Sequence, residues 1–110
     1  MSQSWPDLAA QLRATDWDST RALADICDHI ASEATHGALQ GSLSNVTLTI
    51  THESHADTRL EIIPTQRGPT QFRYIDTQTP EHMWRRHEPP EKVLERFRKA
   101  IVQLAWIAED

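Results

Sequence analysis

The stretch that decides the fold is NVTLTITHESHADTRLEII, residues 45–63, in which two alternating segments flank a polar one. A period of two with many β-branched residues is typical of half-buried antiparallel strands. The apolar side chains that share one face are Val46, Leu48, Ile50, Leu60 and Ile62. The opposite face would present Thr47, Thr49 and Thr51 from the first strand. The pattern therefore predicts two strands with an apolar inner face and a polar outer face.

The HESH segment between these strands contains the chain's clearest cluster of potential metal ligands, His52, Glu53 and His55. Zinc requires three or four ligands in tetrahedral geometry, and the helical zinc pattern spaces its two histidines four residues apart. Here the spacing is three, and on an extended chain the two rings would point to opposite sides. A tight turn could bring the rings together, but other ligands, with Asp57 the nearest, would have to complete the site. We interpret HESH as a turn that holds no metal.

The sequence continues with further strand signals. PTQRGP, residues 64–69, has the composition of a turn, and TQFRYID, residues 70–76, predicts a third strand with Phe72 and Tyr74 on one face. EHMWRRH, residues 81–87, is either a short fourth edge strand or a structured loop. We expect a three- to four-stranded antiparallel β-meander.

Helical patterns precede the sheet. SWPD opens the first, with Ser4 as the predicted cap. TDWDST repeats a capping pattern from Thr15, and apolar residues then recur at three- and four-residue steps until Gly37 ends the helix. The pattern leaves open whether residues 5–36 form one kinked helix or two, with a break expected at residues 14–18.

A long C-terminal helix is the clearest pattern in the chain, in EPPEKVLERFRKAIVQLAWIAED, residues 88–110. Glu95 and Lys99 are spaced for a surface ion pair on this helix. The expected buried stripe comprises Val93, Leu94, Phe97, Ile101, Leu104, Ala105 and Ala108. The helices at both ends need an apolar surface to cover, and the inner sheet face supplies it. We predict a single α+β domain over residues 1–110.

Charge and composition limit the classes of function. Residues 1–66 carry nine acidic side chains against three arginines, a balance of −6, whereas residues 67–110 carry eight basic against seven acidic, a balance of +1. An acidic half repels phosphates and favours a basic protein partner, although acidity is also ordinary in small domains. This charge predicts no nucleic-acid partner. The single cysteine, the absence of a signal-like N-terminus and the absence of a long apolar run predict a cytoplasmic protein that uses no membrane.

A second group of possible metal ligands, Asp25, Asp28 and His29, falls within one helical turn. Adjacent helical residues diverge by about 100° around the axis, so Asp28 and His29 do not face one ion. We expect an exposed acidic helix face. Cys27 falls on the apolar stripe and is expected to be a small buried side chain that is not a nucleophile.

The MWRRH segment concentrates positive charge beside Trp84, a combination that can clamp nucleic acid. Glu81 and Glu88 flank the two arginines, and two arginines are too few to form a basic groove. We therefore expect Arg85 and Arg86 to pair with the acidic N-terminal helix.

Surface recognition is the remaining possibility. Trp17 lies in a sequence rich in carboxylates, and an aromatic anchor within steering charges is typical of binding hot spots. Trp17 could equally pack over the sheet edge. The candidate partner-binding residues are Asp16, Trp17, Asp18, Asp25, Asp28, Thr47, Thr49 and Thr51. No catalytic residue, metal ligand or cofactor is predicted.

The amphipathic opening, the VTLTITH and TRLEI pair and the closing PPEKVLERFRKAIVQLAWI together resemble small bacterial immunity proteins of contact-dependent inhibition and related polymorphic-toxin systems. The resemblance implies an inhibitor that binds a cognate protein toxin and covers its active site or partner surface. Many such toxins are basic nucleases, which would suit the acidic half. The resemblance assigns no binding residue.

Three other readings stay open. A secretion chaperone would be a homodimer that holds an unfolded segment, and a phage-encoded inhibitor of a host defence complex would have the same physical profile as an immunity protein. A small metal-dependent hydrolase would use His52, His55, Asp25 or Asp28. The sequence leaves the choice between monomer and homodimer open.

Overall fold

The computed structural model describes residues 4–33, 37–66, 69–104 and 106, and it shows an α+β fold. Two helices precede an antiparallel sheet, and a third helix follows it. The elements are α1 (Trp5–Thr15), α2 (Asp18–Ser32), β1 (Leu39–Ser44), β2 (Thr47–His52), β3 (Thr58–Ile63), β4 (Thr70–Asp76), β5 (Trp84–Glu88) and α3 (Val93–Gln103). The sheet order is β1-β2-β3-β4-β5, so every strand pairs with its neighbour in sequence. The predicted fold class is confirmed, but the sheet has five strands where three or four were expected.

The helical N-terminal segment is divided at the predicted break. Asp16 adopts a left-handed φ of 59° and ends α1, so the chain turns before α2 begins. The prediction that Thr15 caps the second helix is wrong because Thr15 is the last residue of α1. The cap is Trp17, whose backbone N–H donates to Oγ1 of Thr20 at 3.0 Å. Ser4 caps α1 as expected.

Helix α2 ends earlier than the sequence predicts. Its last helical residue is Ser32, and Glu33 is already extended, so Gly37 is not its C-terminal cap. Ile30 is the last buried residue of the helix, and Ala31 is exposed. The helix therefore ends within one turn of its last described buried side chain. The predicted stripe residue Ala34 lies outside the described residues.

Strand β1 is the element that the sequence analysis missed. It pairs with β2 through a tight turn in which Asn45 takes a positive φ of 57°. Gly41 is buried at the centre of β1, and a Cβ atom there would lie 2.5 Å from two ring atoms of Trp5. The strand therefore passes close beneath the first turn of α1. Its sequence, LQGSLS, lacks the β-branched residues that identified its neighbours.

The core lies between the helices and one face of the sheet. The inward side chains of the three central strands are Leu48, Ile50, Leu60, Ile62, Phe72 and Tyr74, each at most 8% exposed. They meet a helical surface of fully or almost fully buried residues, comprising Leu8, Leu12, Leu23, Ile26, Cys27, Ile30, Val93, Phe97, Ala100 and Ile101. The predicted inner face is confirmed, except that Val46 lies in the turn before β2.

The end of α3 departs from the predicted stripe. Leu94 and Leu104 are half-buried, and the helix ends at Gln103. The N–H of Trp106 donates to the carbonyl of Ile101 at 3.0 Å, and the Trp106 side chain is 2% exposed. Ala105 and Ala108, which were predicted to be buried, lie outside what can be described. In the described part of the chain no helix is both long and apolar enough to cross a membrane.

Candidate protein-binding surfaces

The face of the sheet that points away from the helices is mostly polar, with Ile63 and Ile75 as its apolar side chains, and is here called the open face. Its side chains are mostly exposed or half-buried. One row crosses all five strands in register, and we call it the central row. It consists of Ser42, Thr49, Glu61, Arg73 and Arg85. The row changes from hydroxyl groups at β1 and β2 to charged groups at β3, β4 and β5.

Ion pairs organise the charged end of the open face. Glu61 is paired on both sides, with Arg59 Nε at 3.2 Å and Arg73 Nη1 at 3.6 Å. Arg85 lies directly across from Arg73, and no ion pair to Arg85 occurs among the described residues. Two guanidinium groups, those of Arg59 and Arg73, therefore share one carboxylate, and Arg85 is the cation on this face without an ion pair among the described residues.

The predicted threonine face is part of this surface. Thr47, Thr49 and Thr51 are half-buried on the open face of β2, and β1 sets Ser42 and Gln40 beside them. The strand ladder fixes the backbone and the direction in which each of these side chains leaves it. They can form hydrogen bonds to a partner with little loss of side-chain freedom.

The acidic candidates lie on the helical layer, on the other side of the sheet. Arg21 pairs with both Asp16 and Asp18. Arg13 pairs with Asp28 and with Asp25, the latter at 3.4 Å. Each of the four carboxylates that were predicted to steer a partner is therefore paired with an arginine. The hydrogen bond from Arg13 to Asp28 raises the pKa of the guanidinium above its ordinary value. Two arginines offset half of the four negative charges.

Trp17 lies between Asp16 and Asp18 in the chain, and its side chain is half-buried. Its backbone is used twice at the start of α2, because its N–H donates to Thr20 Oγ1 and its carbonyl accepts from the Arg21 N–H at 2.9 Å. The eight predicted binding residues thus fall into two separate groups. The five on the helices and the three threonines on the open face lie on opposite sides of the sheet and cannot share one flat interface.

The last three residues of HESH begin the connection between β2 and β3, as interpreted from the sequence, whereas His52 is the last residue of β2. The turn brings the rings of His52 and His55 together, with centroids 4.8 Å apart. His52 Nδ1 accepts the backbone N–H of Ser54 at 3.0 Å, and its ring lies 6.2 Å from that of Trp106. Nowhere in the described ranges do three His, Cys, Asp or Glu side chains form a group that could hold a metal ion.

In the second candidate metal group His29 lies apart from Asp25 and Asp28, which both pair with Arg13. Asp25 and Asp28 are exposed, whereas His29 is half-buried with its ring edge-on to Phe97 at 6.5 Å. Cys27 is completely buried, and burial raises the pKa of its thiol to about 12. A thiol in this state is a poor nucleophile.

Most of the MWRRH segment lies in β5, which comprises Trp84–Glu88. The segment that was predicted to be either a fourth strand or a loop is therefore a strand, and it is the fifth strand of the sheet. Arg86 pairs with Glu88 at 3.1 Å, and Arg96 of α3 pairs with the same carboxylate at 3.3 Å. The pairing expected with the N-terminal helix is not found among the described residues, where Arg86 pairs within β5 and Arg85 has no ion pair. Arg85 and Arg73 were not among the predicted binding residues. The alternation in TQFRYID places Arg73 on the face of the strand away from Phe72, and this pattern could have identified Arg73 as a residue of the outer face.

An open groove of about 700 Å³ lies beside the start of α2, bordered by the β3–β4 connection and the chain entering α3. Its ionisable side chains are Asp18, His87 and Glu91. The groove opens to solvent beside a surface rich in proline, and it does not bring these three groups together as a metal site.

Comparisons with protein-family models, with curated proteins and with solved structures found no match to this chain.

Proposed function

We propose that this protein is a protein-binding inhibitor of the immunity type, which neutralises a cognate protein toxin by covering its active or interaction surface. The observation that carries this proposal is the open face of the sheet. All three helices pack against the other face, and the open face presents a graded row of hydroxyl and charged groups.

The dimensions of the open face suit such a role. Strands about 4.8 Å apart, each about six residues long at about 3.3 Å per residue, give a platform roughly 20 Å on a side. Its projected area of about 400 Å² is roughly half of one partner's share of a standard protein–protein interface, about 800 Å² of accessible surface, so the flanking turns would supply the rest of the contact. The ladder keeps the platform rigid, so binding orders few groups and more of the contact energy appears as affinity.

The charge of the open face indicates what it would meet. Arg59, Arg73 and Arg85 outnumber Glu61 there, so a toxin surface that carries carboxylates is complementary. A basic nuclease would instead complement the α1–α2 side, where Arg13 and Arg21 already offset part of the acidic charge. The structure thus offers two surfaces, and we assign the contact to the open face.

The test is titration calorimetry with the protein encoded by the neighbouring gene as the candidate toxin. We expect a one-to-one complex of nanomolar affinity that weakens as salt is raised. Arg85→Glu should lower the affinity about tenfold or more, because it places a negative charge where the unpaired cation lies. Arg98→Glu on the exposed side of α3 makes the same charge change away from the face and should leave the affinity unchanged.

Two results would redirect or reject the proposal. If Asp25→Lys with Asp28→Lys weakens the complex while Arg85→Glu does not, the toxin binds the helical side. If the toxin neither binds this protein nor loses activity in its presence, the inhibitor function is rejected.

A further inference from the structure

The open face contains a pair of like charges in direct opposition. Arg73 of β4 and Arg85 of β5 are partners in the strand register, and like charges at such positions destabilise a sheet. The carboxylate of Glu61 approaches Arg73 only to 3.6 Å, and within the described ranges Arg85 has no ion pair. An arrangement that costs stability is expected at a functional site more than elsewhere.

A hollow of about 240 Å³, here called the arginine hollow, lies between these two strands. It is lined by Arg73, Tyr74, Ile75, Met83, Trp84 and Arg85. The rings of Tyr74 and Trp84 stack with centroids 6.1 Å apart, and both side chains pack on the core side of the sheet. Met83 has extended backbone, so the alternation of side chains continues to it. The side chains of residues 73, 75, 83 and 85 therefore surround the hollow on the open face.

The arginine hollow has a cationic side and an apolar side, and both reach solvent. The Arg73 side chain is 44% exposed, and Arg85 is exposed as well. Ile75 is buried and lies at the base, whereas Met83 at the rim is 43% exposed. Methionine is flexible and adapts its shape to an apolar neighbour. The hollow therefore offers two guanidinium groups beside an adaptable apolar contact.

The size and charge of the arginine hollow indicate what it can bind. Pockets for small molecules usually measure about 300–1,000 Å³, so this smaller hollow suits a single side chain better than a cofactor. A planar guanidinium donates two parallel hydrogen bonds to a carboxylate. A nucleic-acid strand would need a longer basic track, but the central row continues into Thr49 and Ser42, which carry no charge. One carboxylate fits, and a polyanion does not.

We propose that the arginine hollow binds one acidic side chain of the partner protein, an aspartate or glutamate that adjoins an apolar residue. Its carboxylate bridges Arg73 and Arg85 and removes their repulsion, and the adjoining apolar side chain packs on Met83. The inference rests on the proposed inhibitor function for the identity of the partner, and it adds the chemical group that the partner presents. Arginines paired in this way are often the residues that dominate an interface.

The first test is titration calorimetry with the candidate toxin from the neighbouring gene at about 0.5 M NaCl, where the Debye length is about 4 Å. Attraction between distant charges is then screened, and contact pairs remain. Arg85→Gln should weaken the complex about tenfold or more. Arg85→Lys keeps the charge without the planar fork and should restore only part of the lost affinity. Met83→Ser should weaken the complex about threefold or more, because it removes the apolar contact.

The matched control is Arg59→Gln, which makes the same charge change on the same face. Arg59 pairs with Glu61 at 3.2 Å and does not line the arginine hollow. At this salt concentration the control should change the affinity less than about threefold. Equal losses for Arg59→Gln and Arg85→Gln would mean that the face attracts its partner by overall charge, which overturns the proposal.

A double-mutant cycle identifies the group on the partner. Each exposed aspartate or glutamate of the candidate toxin is replaced by its amide, and its coupling to Arg85→Gln is measured. We expect one position, next to an apolar residue, with a coupling of about tenfold or more. Coupling to no side chain, or only to the C-terminal carboxylate of the toxin, overturns the assignment.

A second test needs no toxin. The full chain, labelled at its methionine and isoleucine methyl groups, is titrated by NMR with an N-acetylated, C-amidated leucyl-glutamate dipeptide. The matched leucyl-glutamine dipeptide is the neutral control. We expect the Met83 methyl resonance to shift with a dissociation constant on the order of 10 mM for the acidic probe, and about fivefold weaker binding of the neutral one.

The two tests separate the arginine hollow from the inhibitor function. No shift at Met83, or equal shifts with the two probes, overturns the proposed carboxylate site whatever the toxin does. If the acidic probe binds as expected while the candidate toxin does not bind, the site stands and the inhibitor function is rejected. If the toxin binds equally well to wild type and Arg85→Gln, the inhibitor function stands and the site is rejected.

Discussion

Replacing Gly41 by alanine tests the contact that joins α1 to the first strand. The described glycines have no positive φ, so the backbone at Gly41 accepts alanine without strain. Space is the obstacle, because the new Cβ would lie 2.5 Å from Trp5 Cη2 and Cζ3 and 3.0 Å from Leu8 Cδ1. The Trp5 ring must move, or β1 must withdraw from the helix.

The magnitude follows from two opposing effects. Overpacking of this kind costs about 1–3 kcal/mol. Removing a glycine from the unfolded chain returns about 0.4–1 kcal/mol. Because Trp5 is half-buried and can shift in part, we expect Gly41→Ala to lower the free energy of unfolding by about 1–2 kcal/mol. Urea unfolding followed by far-UV circular dichroism measures this without depending on tryptophan fluorescence.

The cause is isolated by repeating the substitution in a Trp5→Ala background. With the ring removed, the same Gly41→Ala change should cost less than about 0.5 kcal/mol or stabilise the protein, giving a coupling energy of about 1 kcal/mol or more. Ser42→Ala, the neighbouring change on the open face, should stay within about 0.5 kcal/mol in either background. Equal costs for Gly41→Ala with and without the ring would refute the steric explanation.

Two further predictions concern buried polar groups. The thiol of Cys27 has its pKa raised from 9.0 to about 12, so its contribution to stability is complete below about pH 9 and is lost as the pH rises towards 12. In that window the free energy of unfolding of the wild type should fall by about 1.4 kcal/mol per pH unit relative to that of Cys27→Ala, as measured by urea unfolding. If the difference in unfolding free energy between the two proteins did not change with pH, the raised pKa of Cys27 would be contradicted. Asp76 is 7% exposed, and its Oδ1 accepts the N–H groups of Gln78 at 3.1 Å and Thr79 at 2.9 Å. Asp76→Ala should cost about 1–3 kcal/mol in the same assay, and Asp76→Asn, which keeps an acceptor, should cost less; equal losses would mean that the turn does not depend on these bonds.

The predictable parts of the fold are those where one short-range pattern decides the outcome. The alternation around Leu48 and Leu60 predicts both strands and the side that each residue faces, and HESH between them is a turn. Burial of Cys27 follows from its place on the helical stripe. In each of these cases local periodicity and tertiary packing agree.

The missed features depend on contacts between distant segments. Strand β1 has weak strand propensity, and Gly41 is required there by Trp5 of another element. The cap of α2 moved from Thr15 to Trp17 because Asp16 adopts a left-handed conformation, which no spacing rule indicates. Trp106 is buried beside His52 beyond the end of α3, so the predicted stripe was only partly right.

The candidate surface was predictable only in part for the same reason. The threonines of β2 follow from alternation alone, and the structure places them on the open face. The pairing of Arg13 and Arg21 with the four carboxylates joins α1, α2 and the turn between them, so the sequence could not show how much charge is offset. The position of Arg85 across from Arg73 requires the register of two strands.

The alternation of Leu60 and Glu61 on one strand has a consequence for how such a protein can change over generations. Residues that hold the molecule together and residues that could contact a partner are interleaved along the same strands, yet they face different surroundings. Substitutions at outward positions can alter partner choice while leaving the interior untouched, so specificity can drift at little cost in stability. Insertion or deletion of one residue within a strand would exchange the two sets and abolish both properties together. Divergence among proteins built this way should therefore consist of substitutions in the strands, with changes of length confined to the turns.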